Sequence, residues 1–463
     1  MDDRAVDEKF VKMTTAPVRG LVLSLAVPTT AIMLISALYN MADTFFVGSL
    51  GTSATAGVGV SFPLMAIIQA MGFFFGQGAG NYVSRQLGAQ QLDKASRMAA
   101  TGFFSSLAAG ALLTATGILG IGGLAKALGA TDTILPYAKE YLFFILLAAP
   151  FMTGSLTLNS LLRFQGSAFY GMVGMISGAV ANIVLDPIFI YYLGMGVGGA
   201  ALATMISQFI GFCLLLAGCG RKGAIRIRVS DFSPMLPLYK EMARGGIPSL
   251  FRQGLASVAT VCTNRLAGSY GDAAIAAMSI VTRVVMFANS AMLGLGQGFQ
   301  PVCGFNYGAK RYDRVKEAFW FCVKFSVLGL MAFCALAWVF APEVIAVFRA
   351  DDAEVIRIGA FSLRLQFLAA PLMGWVIINN MLFQTTGKSL SASILAIARQ
   401  GLFLLPLLFA MSRALGLLGI QISQPLADVV TFALSIPLHV RFMREMGSGK
   451  ASAATDDLSL HVH

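Results

Sequence analysis

Runs of about twenty or more apolar residues recur along the whole chain, and that is the length a helix needs to cross a bilayer. A backbone in hydrocarbon must satisfy its own polar groups, so each run is a helix. They fall near 21–48, 54–80, 98–122, 136–158, 168–193, 197–219, 245–268, 274–302, 318–341, 358–382, 392–411 and 418–440, which makes twelve spans. Hydrophobic residues make up 57% of the chain and charged ones 12%, against about 25% charged in soluble proteins. An ordinary soluble core is excluded, and the expectation is an all-α polytopic membrane protein. The first run is too long for a signal peptide's apolar region and reads as a retained helix.

Charge placement supports the count. Alternate links carry Arg85, Lys94 and Arg97, then Arg163, then Arg221 to Arg244, then Lys310 to Lys316, then Lys388, while the links between them are nearly uncharged or acidic. Positive charge gathers on the cytoplasmic side, so both termini are expected there. The net charge of +11 belongs to these links and does not point to nucleic acid. Residues 1–19 read as a polar lead, 220–244 as a basic linker, and 446–463 as a disordered tail.

Six cysteines without a CxxC spacing read as free thiols in helices. The three histidines, His439, His461 and His463, lie near or in the tail and offer no catalytic or metal constellation. No enzyme activity is expected; Asp351-Asp352 is the nearest approach to a metal motif, and no second one accompanies it.

The chain repeats itself. A shift of 220 residues puts Pro28 on Pro248, Gly51 on Gly271, Gly76-Gln77-Gly78 on Gly296-Gln297-Gly298, and Gly88-Ala89 on Gly308-Ala309. A slip of one residue then aligns Pro150 with Pro371 and Gly166 with Gly387. Six helices per copy is an even number, so the copies run in the same direction. The expected architecture is an N-lobe (20–219) and a C-lobe (245–445), two six-helix lobes related by pseudo-twofold symmetry, with a cavity between them.

Inside the fifth span, Asn182 and Asp186 are four residues apart and share a helix face. An ionisable residue at that depth is costly and by default functional. Pro187 removes a backbone donor beside the acid, so a kink and loosened carbonyls are expected there. The acid, the amide and the carbonyls suit a small cation or a proton. The proline recurs in the second copy as Pro406 and the carboxylate does not.

Five stretches taken together resemble the multidrug and toxic compound extrusion (MATE) family. They are Asp43-Thr44-Phe45-Phe46-Val47-Gly48-Ser49-Leu50-Gly51, Gly76-Gln77-Gly78, Asp186-Pro187-Ile188-Phe189-Ile190, Gly296 to Pro301, and Gly304 to Lys310. The resemblance covers roughly 15–445. It implies antiport, in which a cation gradient, H⁺ or Na⁺, drives export of amphiphilic, often cationic drugs. It also implies a bacterial inner membrane and no other cofactor.

One branch of the family places coupling carboxylates on helices seven and ten; here neither 245–268 nor 358–382 contains Asp or Glu. The other branch uses the N-lobe. The matching positions are Asp43, Asn182, Asp186 and Thr204, which would also ligate Na⁺ if that is the coupling ion, with Asn159 and Tyr141 as the adjoining polar network. Pro28 and Pro187 are the expected hinges.

Arg252 and Arg399, within C-lobe spans, either pair internally, as Arg399 with Asp428, or line a substrate cavity together with Gln297. That keeps open an exporter or flippase of anionic or lipid-linked substrates. The expected partners are a small-molecule substrate and membrane lipid, with the chain a monomer.

Overall fold

Each apolar run forms a helix in the computed structural model. It describes residues 3–48, 50–221, 225–349 and 352–447, of which 3–6, 40–45, 48 and 52 as backbone alone. Among them there is no strand. The N-lobe contains α2 (Val18–Gly48), α3 (Thr52–Gly88), α4 (Leu92–Leu119), the short α5 (Ile121–Ala127), α6 (Leu135–Phe164), α7 (Ala168–Pro187) and α8 (Gly196–Cys219), preceded by α1 (Asp3–Thr15). The C-lobe contains α9 (Leu236–Ala267), α10 (Asp272–Gly308), α11 (Tyr312–Val339), the short α12 (Ala341–Ala346), α13 (Ala353–Thr385), α14 (Ser389–Ile397), α15 (Leu405–Leu415) and α16 (Leu417–Gly447). A π-helical segment, Ala398–Leu404, joins α14 and α15 into one span, and another, Ile188–Tyr192, extends α7.

Eleven spans among the described residues are long and apolar enough to cross a membrane. The twelfth is α9, which has the length but carries Arg244, Arg252 and Arg265. It starts at Leu236, earlier than the expected end of the linker at 244, because Pro237 suits a first helical turn and Met235 before it is extended. The polar lead likewise folds, as α1. The tail from residue 448 lies outside the described residues, and so does Asp351; Asp352 caps α13 by accepting from the backbone N–H groups of Glu354 and Val355.

The repeat is written into the backbone. Most left-handed residues come in pairs at the sequence shift, among them Gly51 and Gly271 (φ 103° and 98°), Gln90 and Lys310 (57° and 58°), and Gly166 and Gly387 (78° and 79°). Gly51 and Gly271 each precede a 37-residue helix, α3 and α10. A side chain at either would strain the turn between the first two spans of its lobe.

Among the described residues the lobes meet at one end. Contacts join the first halves of α2 and α9 to the second halves of α3 and α10. Glycine brings the backbones together: a Cβ at Gly298 would lie 2.4 Å from the Ala26 Cα, and one at Gly78 2.3 Å from the Met242 carbonyl oxygen. Thr29 Oγ1, next to Pro28, donates across the seam to the Gly294 carbonyl (2.6 Å). Arg85 Nη1 donates to the Thr385 carbonyl (2.8 Å), and Thr385 Oγ1 to Asn81 Oδ1 (2.9 Å). One apolar cluster, with Val22, Val83, Phe299 and Met381, fills this end. Met13 of α1 and Phe442 and Met446 of α16 join this cluster, and the space between the lobes opens on the opposite side.

The α1 helix lies under the seam. Asn306, Arg311 and Arg314 of the C-lobe donate to the carbonyls of Met13, Thr14 and Ala16, and Lys9 Nζ donates to Ser167 Oγ of the N-lobe (2.7 Å). Burial, aided by the charge of Lys12, pushes the Lys9 amine down to about 8 from 10.5. A lysine whose folded value is depressed binds fewer protons folded than unfolded as pH rises from 8 to 10.5, so stability gains across that window. The thermal midpoint is expected to rise from pH 8 to pH 10 more steeply in the native protein than in Lys9→Met. Equal slopes would show that Lys9 charging has no part in holding α1.

Candidate functional site

The N-lobe site is built on α7 and α8, packed side by side. Asn182, Asp186 and Thr204 are 1%, 0% and 1% exposed. Asn182 Nδ2 donates to Asp186 Oδ1 and to Thr204 Oγ1, both at 3.3 Å. Its own Oδ1 is buried with no hydrogen-bond partner among the described residues. A buried acceptor left in that state costs about 1–3 kcal/mol. An amide, a carboxylate and a hydroxyl thus meet in one buried cluster, side chains whose oxygens suit a hard cation, or a proton on the carboxyl.

Pro187 closes α7 and cannot donate to the carbonyl of Ile183. Instead of a simple kink, the chain widens into the π-helical segment 188–192, where the Leu193 N–H reaches the Ile188 carbonyl. The segment holds Tyr191, whose hydroxyl donates to the Phe46 carbonyl of α2 (3.5 Å). Helix α2, which carries Asp43, packs along α7; the Asp43 side chain lies outside the described residues.

The adjoining positions divide. Tyr141 is fully buried on α6, its hydroxyl 3.9 Å from Met65 Sδ. Asn159 is also on α6, but its Oδ1 lies against Gly171 of α7, where an added Cβ would be 2.5 Å away. Gly171 is eleven residues before Asn182, or about 16 Å along the helix. Asn159 therefore sits apart from the site.

In the C-lobe, the shift of 220 carries Thr204 to Gln424 on α16. Gln424 Nε2 donates to Asp428 Oδ1 (2.7 Å), and so does Arg399 Nε (2.9 Å) from the π-helical segment. Where the N-lobe leaves an acid beside an orphaned amide oxygen, the C-lobe supplies its acid with a cation of its own.

A cavity of about 440 Å³ opens between the lobes, within the usual range for small-molecule sites. Ala66 and Gln69 of α3 contribute to it; the rest is C-lobe, including Arg252, Arg399, Met278 and Met286. Gln297 does not line it. That side chain is buried in the seam and accepts from Arg163 Nη1. A wider cleft, about 1230 Å³, lies at the closed end; its two carboxylates pair with lining cations, Glu445 with Lys388 and Glu241 with Arg244.

Arg163 is the residue that sequence reasoning misplaced. Its position after the fourth span read as a loop charge, but α6 continues to Phe164 and buries it, 1% exposed. The repeat carried a signal: Arg163 aligns with Gln384, which is likewise buried and reaches Ser249 Oγ (2.7 Å).

Comparison with known proteins agrees with this architecture. The MatE family profile matches residues 28–188 and 248–410, one segment in each lobe. The multidrug export protein MepA of Staphylococcus haemolyticus is 28% identical over 448 residues, covering 96% of this chain and 98% of that protein. A multidrug resistance MATE transporter of the MOP superfamily, solved in an outward-facing conformation, superposes with a TM-score of 0.89 at 27% identity, over 95% of this chain and 98% of its own. A MATE structure in a straight conformation gives 0.89 at 27% identity, over 95% and 99%. With two matched segments, twelve spans and two lobes closed at one end, the chain belongs to the MATE family of efflux transporters.

Proposed function

We propose that the protein is a cation-coupled antiporter that exports amphiphilic small molecules across a bacterial cell membrane by alternating access. The coupling ion, H⁺ or Na⁺, is taken by Asp186 with Asn182 and Thr204, and by Asp43 of α2. The observation that carries this reading is the fully buried Asp186 one turn from an amide whose oxygen has no hydrogen-bond partner among the described residues. Two carboxylates in such a pocket cannot both stay charged cheaply, and binding a cation relieves the cost. Coupling then comes from different ion affinities in two lobe arrangements. Pro28 stands beside the Thr29–Gly294 contact, where a bend in α2 would loosen the seam.

The charged links put the closed end in the cytoplasm, so this arrangement faces outward; a relative solved outward-facing superposes well. Export of two amphiphilic dyes, one cationic and one anionic, from reconstituted vesicles, with pH and Na⁺ gradients imposed separately, tests the reading. Efflux is expected under one of the two gradients. Efflux that ignored both would end it.

A further inference from the structure

Resting on the exporter reading, we propose that the C-lobe cavity recognises an anionic group on its amphiphilic substrates, a carboxylate, sulfonate or phosphate, through Arg252. Two arginines and no Asp or Glu line this cavity. Arg399 is neutralised by Asp428 at 2.9 Å, which leaves Arg252 as the uncompensated charge. Its one hydrogen bond among the described residues is to a neutral acceptor, Asn380 Oδ1, at 3.4 Å.

Arg252 lies about 24 Å along a helix about 48 Å long, near mid-depth of the span. A lone guanidinium at that depth is costly unless something charged meets it. In the seam between the lobes, Arg163 of α6 is buried as well, held by the neutral side chain of Gln297. Arg163 Nε and Nη2 are buried with no hydrogen-bond partner among the described residues, and so are both side-chain polar atoms of Gln300. The cavity thus holds a cation at Arg252 with no Asp or Glu in its lining, while Met286, Leu293 and Leu404 supply the apolar wall.

A planar guanidinium binds carboxylate, sulfonate or phosphate with two parallel N–H donors, which an ammonium or a neutral amide cannot copy. A substrate that is purely cationic would meet repulsion at Arg252. The cavity thus selects amphiphiles with an anionic or zwitterionic head, the reverse of the cationic preference that the family resemblance implies.

The test uses two dyes on one xanthene scaffold, fluorescein (anionic) and rhodamine 6G (cationic). Their equilibrium binding to the full-length protein in phosphatidylcholine nanodiscs is followed by fluorescence anisotropy with no gradient present. Native protein is expected to bind fluorescein more tightly. Arg252→Gln is expected to lose at least about tenfold in fluorescein affinity and none for rhodamine 6G, with Arg252→Lys between the two.

Equal loss for both dyes, tighter native binding of rhodamine 6G, or no binding of either would overturn the proposal. In case Arg252→Gln does not fold, dodecanoate and dodecyltrimethylammonium compete for fluorescein on the native protein. Displacement by dodecanoate alone supports the proposal, and any other pattern overturns it. Because no gradient is used, a failure here is separate from a failure of ion coupling.

Discussion

Replacing Asp186 with asparagine is expected to abolish gradient-driven export while leaving the protein folded. The change is nearly isosteric, so α7 and α8 keep their packing. It removes the charged acceptor of Asn182 Nδ2 and the only Asp or Glu on α7. Hydrogen bonds to charged groups contribute about 1.5–3 kcal/mol each, so affinity for the coupling ion should fall by about ten- to a hundredfold or more.

The measurement has two arms. Dye efflux from vesicles under the effective gradient reads transport. The thermal shift produced by Na⁺, or by acidification if H⁺ is the coupling ion, reads ion binding. Loss of both with an unchanged baseline midpoint identifies Asp186 as an ion ligand. Normal efflux by Asp186→Asn would sink the coupling mechanism, and a collapsed midpoint would mean that the acid serves packing.

The second large effect lies in the other lobe. Asp428→Ala strips Arg399 of its counter-ion, and breaking a buried pair by removing one partner costs about 3–5 kcal/mol. The Arg399 side chain is 20% exposed and that of Asp428 6%, so the lower part of that range is expected. The double variant Arg399→Met with Asp428→Leu should recover most of the loss, because two apolar side chains need no mutual compensation. Thermal unfolding of the purified protein in detergent checks both. A single variant as stable as the native protein would show that water reaches Arg399 freely.

Much of this was legible in the sequence because membranes impose simple rules. Apolar length placed the spans, and a shift of 220 residues exposed two lobes whose left-handed turns then matched within a few degrees. Asn182, Asp186 and Thr204 meet because two of them share a helix face and the third sits on the next span. Asn159 failed for a different reason: how α6 slides against α7 is set by side-chain packing, as where Gly171 admits Asn159, and no spacing within one segment encodes that. Arg163 and Gln297 failed together. Each looked placed by its own span, one in a loop and one at a cavity, and only the meeting of the lobes makes them partners. Helix α1 was hidden by its polarity, since much of what holds it is backbone carbonyls that C-lobe side chains reach.

That last feature divides the molecule differently from the chain. Covalently, α1 leads straight into α2 and belongs to the first half. By its anchors it is cargo of the second half, lashed there at Met13, Thr14 and Ala16 and touching the first at Ser167 through Lys9. Any movement that parts the lobes at this end must either pull α1 off three carbonyl moorings or slip its contacts with the first half, Lys9 on Ser167 and Met13 on Gly166. The peptide between Ala16 and Val18 then becomes a strap between two bodies, and its short length sets how far the closed end can gape.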